Sequence, residues 1–220
     1  MNKKLIAVAA LAAILCVWNL GSRAQLAPQA PFSSLVSPAE CTRPEWPQEA
    51  RRYEIDGVTV VNFEIGADGH VVRSAVARSS GWTILDNAAL KGIARCVFPP
   101  NLEQAKNGVV FPIQYVWKFS DGPFNRPLLK AGSCQPSDRF ETFQDFERRR
   151  SRSDGILVRF IVGGDGAPVR IVAEPGDQPA ELVGQAVAYL QTCRFAFDPA
   201  VAGERTDTSF GRVVVKPTVN

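Results

Sequence analysis

The sequence has one histidine, His70, and no Cys-x-x-Cys pair or Cys/His cluster. Structural zinc sites draw their ligands from closely spaced Cys and His residues, so no metal site is expected. No Ser/His/Asp or Cys/His constellation is visible either, which leaves acid–base and nucleophilic catalysis without machinery. The chain reads as a non-enzyme with no cofactor. His70 falls in a hairpin turn. Asp68-Gly69 and Asp165-Gly166 bring too few oxygen donors for a calcium loop, which needs several over twelve residues, and they suit turns instead.

A basic excess is lacking too. The formal net charge is +3, and residues 1–24 hold Lys3, Lys4 and Arg23 and no acid, so 25 basic residues less these three leave 22 against 22 acidic ones. A nucleic-acid binder should show a basic patch or stripe. The one dense run, "ERRRSR" at 147–152, reads as a solvated helix end and loop.

No apolar run is long enough to cross a bilayer comfortably, which takes roughly 20 residues. The longest, Leu5 to Leu20, follows Lys3 and Lys4 and precedes Ser22 and Ala24, the small residues of an A-x-A-like cleavage site. Residues 1–24 therefore read as a secretory signal peptide. Residues 25–40, rich in Pro, Ser and Ala, read as a linker. As polyproline II, at about 3.1 Å per residue, it would reach only about 50 Å.

What is present is an internal repeat. "VNFEIGADGHVV" at 61–72 recurs as "VRFIVGGDGAPV" at 158–169, an offset of 97. At that offset, without gaps, Val61, Phe63, Gly66, Asp68, Gly69, Val72, Leu85, Ala89, Cys96 and Phe98 meet Val158, Phe160, Gly163, Asp165, Gly166, Val169, Leu182, Ala186, Cys193 and Phe195. Two copies of one small domain follow, at 41–120 and 134–220, joined by a linker at 121–133. Once Cys16 leaves with the signal, four cysteines remain, with three possible pairings. Cys41 and Cys134 each open a copy and Cys96 and Cys193 each close its helix, so the repeat selects Cys41–Cys96 and Cys134–Cys193.

Within the first copy a short helical turn is expected after Pro47, and Asp56-Gly57 turns the chain into a strand whose Val61, Phe63 and Ile65 face the core. A "GADG" turn and a returning strand follow. Thr83 with Asp86 makes a capping-box-like helix start, and Leu85, Ala89, Ile93 and Cys96 share one helical face. Residues 108–119 form a strong β run with Val109, Phe111, Ile113, Tyr115, Trp117 and Phe119 on one face. Pro112 cannot donate to a ladder, so this strand belongs at a sheet edge or carries a bulge. In the second copy the spacing of Phe140, Phe143 and Phe146 suggests a longer first helix. Residues 156–173 make the hairpin, 179–193 the helix, and 211–217 a shorter last strand ended by Pro217. Core packing is the expected role of Trp46, Trp82 and Trp117.

The ordered set Trp46-Pro47, Ala50, Gly57, the β run, Asp68-Gly69, Ser79-Ser80-Gly81, Leu85-Asp86, Ala88-Ala89, Phe98, Pro100 and the closing strand resembles the C-terminal domain of TonB-family energy transducers over residues 43–119. The second copy is a divergent match that lacks the aromatic-Pro pair. The resemblance implies an α+β fold of two tandem small domains, each a three-stranded antiparallel sheet packed with two helices, in the periplasm of a Gram-negative cell. It also implies binding of a short segment of an outer-membrane, TonB-dependent receptor, or another periplasmic protein, by strand addition. Val109, Val110, Phe111, Ile113, Gln114, Tyr115, Val116 and Trp117 are then the partner-binding residues, with edge-to-edge pairing into a homodimer as another use of the same strand. The alternative is a membrane-anchored transducer that keeps Leu5–Leu20 as its anchor and couples the inner-membrane proton-motive force to outer-membrane receptors. Transducers carry a Ser and a His in that anchor and a much longer Pro-rich spacer, whereas the only histidine here is His70. An exported interaction module that assists outer-membrane transport is therefore the expectation.

Overall fold

The structure, a computed structural model, describes residues 41, 43–99, 108–119 and 122–217. The expected signal peptide and the linker at 25–40 lie outside the described residues. Among the described residues no helix is long and apolar enough to cross a membrane.

In the first half β1 (Gly57–Ile65) pairs antiparallel with β2 (Val71–Arg78) and β3 (Val110–Trp117), in the order β2-β1-β3. Period-two alternation buries Val61, Phe63 and Ile65 as expected. The helix α1 (Gln48–Arg52) begins directly after Pro47, whose fixed φ of −58° suits a helix entry. The second helix, α2 (Thr83–Ile93), buries Leu85, Ala89 and Ile93 in one core with the sheet. At the hairpin turn Gly69 has φ +87°, and a side chain there would strike the carbonyl of Phe98. The Phe98 N–H donates to the Gly69 carbonyl at 2.8 Å, tying the turn to the chain beyond α2.

In the second half several pairings recur 97 residues further on. Val61 faces Val76 in the first hairpin, and Val158 faces Ala173 between β7 (Gly155–Val162) and β8 (Pro168–Ala173). The Phe195 N–H donates to the Gly166 carbonyl, as Phe98 does to Gly69. A helix, α3 (Ala180–Gln191), and a strand, β11 (Thr208–Val215), follow. Both predicted disulfides, Cys41–Cys96 and Cys134–Cys193, are present. The fold is α+β with antiparallel main sheets, as the sequence implied.

Several local expectations are corrected. Residues 140–146 form no helix: β6 (Phe140–Asp145) is a strand on the outer edge of β11, giving a four-stranded sheet in the order β6-β11-β7-β8 beside a single helix. A register shift between Val214 and Val215 admits an extra residue, so Phe140 and Phe143, three apart, are both buried in one core. The last strand is not short, because β11 spans eight residues, as many as β3.

The connecting segment is no free tether either. There β4 (Phe124–Asn125) pairs with β10 (Glu204–Arg205), and β5 (Leu128–Leu129) with β9 (Phe195–Ala196). Nor does Thr83 cap α2. It is the helix's first residue, Trp82 takes the N-cap without a side-chain bond, and Asp86 serves a different network.

The two halves share a core. Leu157 of β7 and Phe210 of β11 belong to the same apolar cluster as Tyr53, Ile55 and Trp82, and the Trp82 and Phe210 rings meet edge to face at 5.4 Å. All described residues fall in one compact unit. One face of the second sheet therefore packs on the first half while Ile156, Val158 and Phe160 cluster with Leu182, Ala186 and Leu190 of α3.

Charged groups lock this contact. Buried Arg159 forms salt bridges to buried Glu174 and to Glu49 of α1, with its guanidinium over the Tyr53 ring at 5.3 Å. Buried Arg126 donates to the Glu54 carbonyl at 2.7 Å. The "ERRRSR" run is a loop that bridges the halves rather than a solvated helix end: Arg148 pairs with Asp56 at 2.7 Å and Arg150 with Asp86 at 2.9 Å. Arg212, buried in β11, holds that loop by donating to the carbonyls of Arg149 and Arg150.

Candidate functional site

The strand β3 lies at an edge, as Pro112 implied, and among the described residues no strand pairs with its outer side. An open edge presents unpaired N–H and C=O groups and is a template for another strand. Side chains alternate along it. Phe111 and Trp117 point into the core, Ile113 and Tyr115 are half-buried, and Val110, Pro112, Gln114 and Val116 are exposed. Val109, just before the strand, is half-buried and packs on the first core.

The eight predicted residues thus divide by role. Phe111 sits 5.7 Å from the Phe63 ring, and the Trp117 indole N–H donates to Thr59 Oγ1 at 3.2 Å, so these two side chains hold the strand rather than face solvent. Val110 and Val116 are 49% and 62% exposed, a large share for apolar side chains. With Gln114 they make the outer face of β3 uncharged.

The opposite edge differs. There β2 carries Arg73 and Arg78, both exposed, and its pairing with β1 is irregular at two places. Charge and bulges are devices that discourage edge pairing. Of the two edges of the first sheet, β3 is the one without them.

Trp46 joins β3 to the helices. Its ring lies 6.1 Å from Trp117 and 5.7 Å from Phe119, both edge to face, and Trp82 is fully buried, so the tryptophans are packing residues as expected. Among the described residues the indole N–H groups of Trp46 and Trp82 and the hydroxyl of Tyr115 are buried without a partner. Burial pushes the Tyr115 phenol up from its ordinary value. His70 is exposed, and its backbone N–H donates to Asp68 Oδ1 at 3.1 Å, a turn role. Among the described residues no group of three His, Cys, Asp or Glu side chains is placed to hold a metal ion.

The sequence did not reveal that β11, the counterpart of β3, has its outer edge filled. Val61 faces Ile113 across β1 and β3, and Val158 faces Gly211 across β7 and β11, so Ile113 corresponds to Gly211 and Tyr115 to Val213. On β11 the far side of these residues is taken by β6, with Val213 facing Phe143. Among the described residues the same edge carries no strand in one half and is closed by the chain itself in the other.

Residues 42–120 match the family model described as Gram-negative bacterial TonB protein C-terminal. The first half is TonB-like. No curated protein matches the chain. The TonB-like segment runs from just after Cys41 to just past β3, so it contains α1, α2, the three-stranded sheet and the β3 edge. Domains of that family are protein–protein interaction domains, and the match implies a periplasmic location.

Proposed function

We propose that this protein is an exported periplasmic binding module that takes an extended segment of a partner protein as an added strand on the outer edge of β3, and that it assists transport at the outer membrane through a TonB-dependent receptor. The observation that carries the reading is the contrast between the edges: β11 has its edge filled by β6, whereas β3 has no strand on its outer side among the described residues. A fourth strand is thus compatible with this sheet design. Main-chain hydrogen bonds along β3 would supply affinity, and contacts at Val110, Gln114 and Val116 selectivity.

The second half, a divergent copy in this reading, acts as a support. Its own edge is occupied and one face of its sheet is buried against the first half. Holding α1, α2 and Trp82 in place stiffens the sheet that offers β3, and a preorganised edge loses less entropy when a partner orders on it.

The test is in-cell photo-crosslinking from a photoreactive residue at Gln114. An adduct with an outer-membrane receptor or another periplasmic protein is the expected result. Adducts only within the chain or with a second copy of it would overturn the reading and make β3 a structural or dimer edge.

A further inference from the structure

The first half has a second concave surface, lined by no residue of β3. It is a cleft of about 640 Å3 between the segment leading into α1 and the side of α2 that carries Ile84, Ala88 and Lys91. The disulfide Cys41–Cys96 fixes the start of that segment to the chain just past α2. Pro44 then packs on α2 where Gly92 has no side chain, since a Cβ there would lie 2.7 Å from Pro44 Cβ.

Cations enter this cleft from both walls. Arg43 and Arg51 belong to the segment around α1, and Lys91 and Arg95 to the end of α2. All four are exposed, and none is in an ion pair among the described residues. The Arg51 Nε–H donates to the Trp46 carbonyl at 3.4 Å, which leaves its charge uncompensated. Glu45 is the one acid in the lining. The macrodipole favours cations at the C-terminal end of α2, which accounts for Lys91 and Arg95 but not for the two arginines brought in by another segment. Like charges gathered in one place repel, and an anion among them turns the repulsion into attraction.

The rest of the lining is suited to a ligand with an organic body. Pro47, Ile84 and Ala88 supply apolar surface, and the lining also includes Trp46, whose buried indole N–H has no partner. That group can only donate, so it lacks an acceptor.

We propose that this cleft binds a ligand carrying two phosphate groups, held between Arg43 and Arg51 on one wall and Lys91 and Arg95 on the other. A phosphomonoester carries about 1.5 to 2 negative charges at pH 7, so two phosphates balance four cations less Glu45, whereas a lone carboxylate leaves most of that charge uncompensated. Guanidinium groups match phosphate oxygens with paired N–H donors. The volume lies within the roughly 300–1,000 Å3 of small-molecule sites. A soluble bisphosphate and a phosphorylated lipid headgroup offer the same chemistry, and the test separates them. The site is independent of strand addition at β3.

The probe is inorganic pyrophosphate, titrated by calorimetry into the purified exported protein in a low-salt, phosphate-free buffer. Saturable binding of one pyrophosphate per chain is expected. Arg95→Gln and, from the other wall, Arg43→Gln should each weaken it about fivefold, the upper range for an exposed charge pair. Arg78→Gln on β2 removes the same charge outside the cleft and should change binding less than about twofold. All three side chains are exposed, so the urea midpoints of the variants should match the parent's.

Vesicles of phosphatidylcholine with and without phosphatidic acid identify the source of the phosphate. Sedimentation with the acidic vesicles that pyrophosphate reverses makes the ligand a lipid headgroup, and pyrophosphate binding without sedimentation makes it a soluble molecule; both results uphold the site. The absence of saturable pyrophosphate binding would overturn it. Equal weakening by Arg95→Gln and Arg78→Gln would do so as well, because the attraction would then be to overall charge rather than to this cleft.

Discussion

The carboxylate of Glu174, just past β8, accepts the backbone N–H of Thr83, the first residue of α2, at 3.0 Å. The first N–H groups of a helix have no partner inside it, so a side chain from the second half completes a helix of the first. The same carboxylate is salt-bridged to Arg159, with both groups buried.

Glu174→Ala should therefore be costly. It leaves the Arg159 guanidinium buried with only Glu49, 47% exposed, as a partner, and breaking a buried ion pair costs about 3–5 kcal/mol. We expect a loss near the lower end because Glu49 remains, measured as a fall in the urea midpoint with an unchanged slope.

Asp86 contributes to the response to acid. Burial pushes its carboxyl up, but hydrogen bonds from Ser79, the Ser80 N–H and hydroxyl, and Arg150 outweigh it and hold the group below its ordinary 3.8. A depressed carboxyl stabilises the fold above its unfolded-state value, and that contribution is lost as pH falls through the lower folded-state value. Asp86→Asn should cost about 1.5–3 kcal/mol at pH 7, the range for hydrogen bonds to a charged group. Denaturation curves should show the gap to the parent protein closing as pH drops below 3.8.

Phe210→Ala should weaken both halves together. The ring packs edge to face on Trp82 and under the Arg148 guanidinium at 4.9 Å, and truncating a buried Phe costs about 3–5 kcal/mol. Because the core is shared, fluorescence from the tryptophans of the first half and hydrogen exchange in β7 should report one coincident transition at a lower denaturant concentration. Two separated transitions would show that the halves fold independently.

Replacing Cys41 and Cys96 together by serine should cost about 4 kcal/mol on the chain-entropy model for a loop of this length. Calorimetry measures the loss, and non-reducing peptide mapping of the parent protein should return only Cys41–Cys96 and Cys134–Cys193.

A C-terminal truncation tests the supporting role of the second half. Removing residues 121–220 should leave Tyr53, Ile55 and Trp82 exposed on the face now covered by Leu157 and Phe210. The shortened protein should aggregate or lose its cooperative transition. If it stays soluble and equally stable, the second half is not a support.

Much of this architecture was legible because it is written in short-range patterns. The alternation of Val61, Phe63 and Ile65, the turn at Gly69, the helical spacing of Leu85, Ala89 and Ile93, and Pro112 as an edge marker are each set by a few neighbouring residues. The disulfide partners could be read because Cys41 and Cys134 each open a half and Cys96 and Cys193 each close its helix. The edge strand itself could be named in advance, while the separation of Phe111 and Trp117 as core from Val110, Gln114 and Val116 as surface needed the sheet.

Elsewhere the chain was ambiguous until distant parts met. The three-residue spacing of Phe140, Phe143 and Phe146 suits a helix, yet the edge of β11, far downstream, offered a row of backbone partners, and a bulge there let both Phe140 and Phe143 reach the core. Arg159 and Arg212 look like surface residues by composition and are buried, because Glu174, Glu49, Asp154 and loop carbonyls converge on them from separate segments. The α+β composition, the turns, the cysteine pairs and the edge strand were readable beforehand, since local periodicity and backbone restriction act without knowledge of the rest of the chain. The shared core, the closing of the β11 edge by β6 while β3 has no added strand among the described residues, and the burial of particular charges all depend on contacts between residues far apart in sequence.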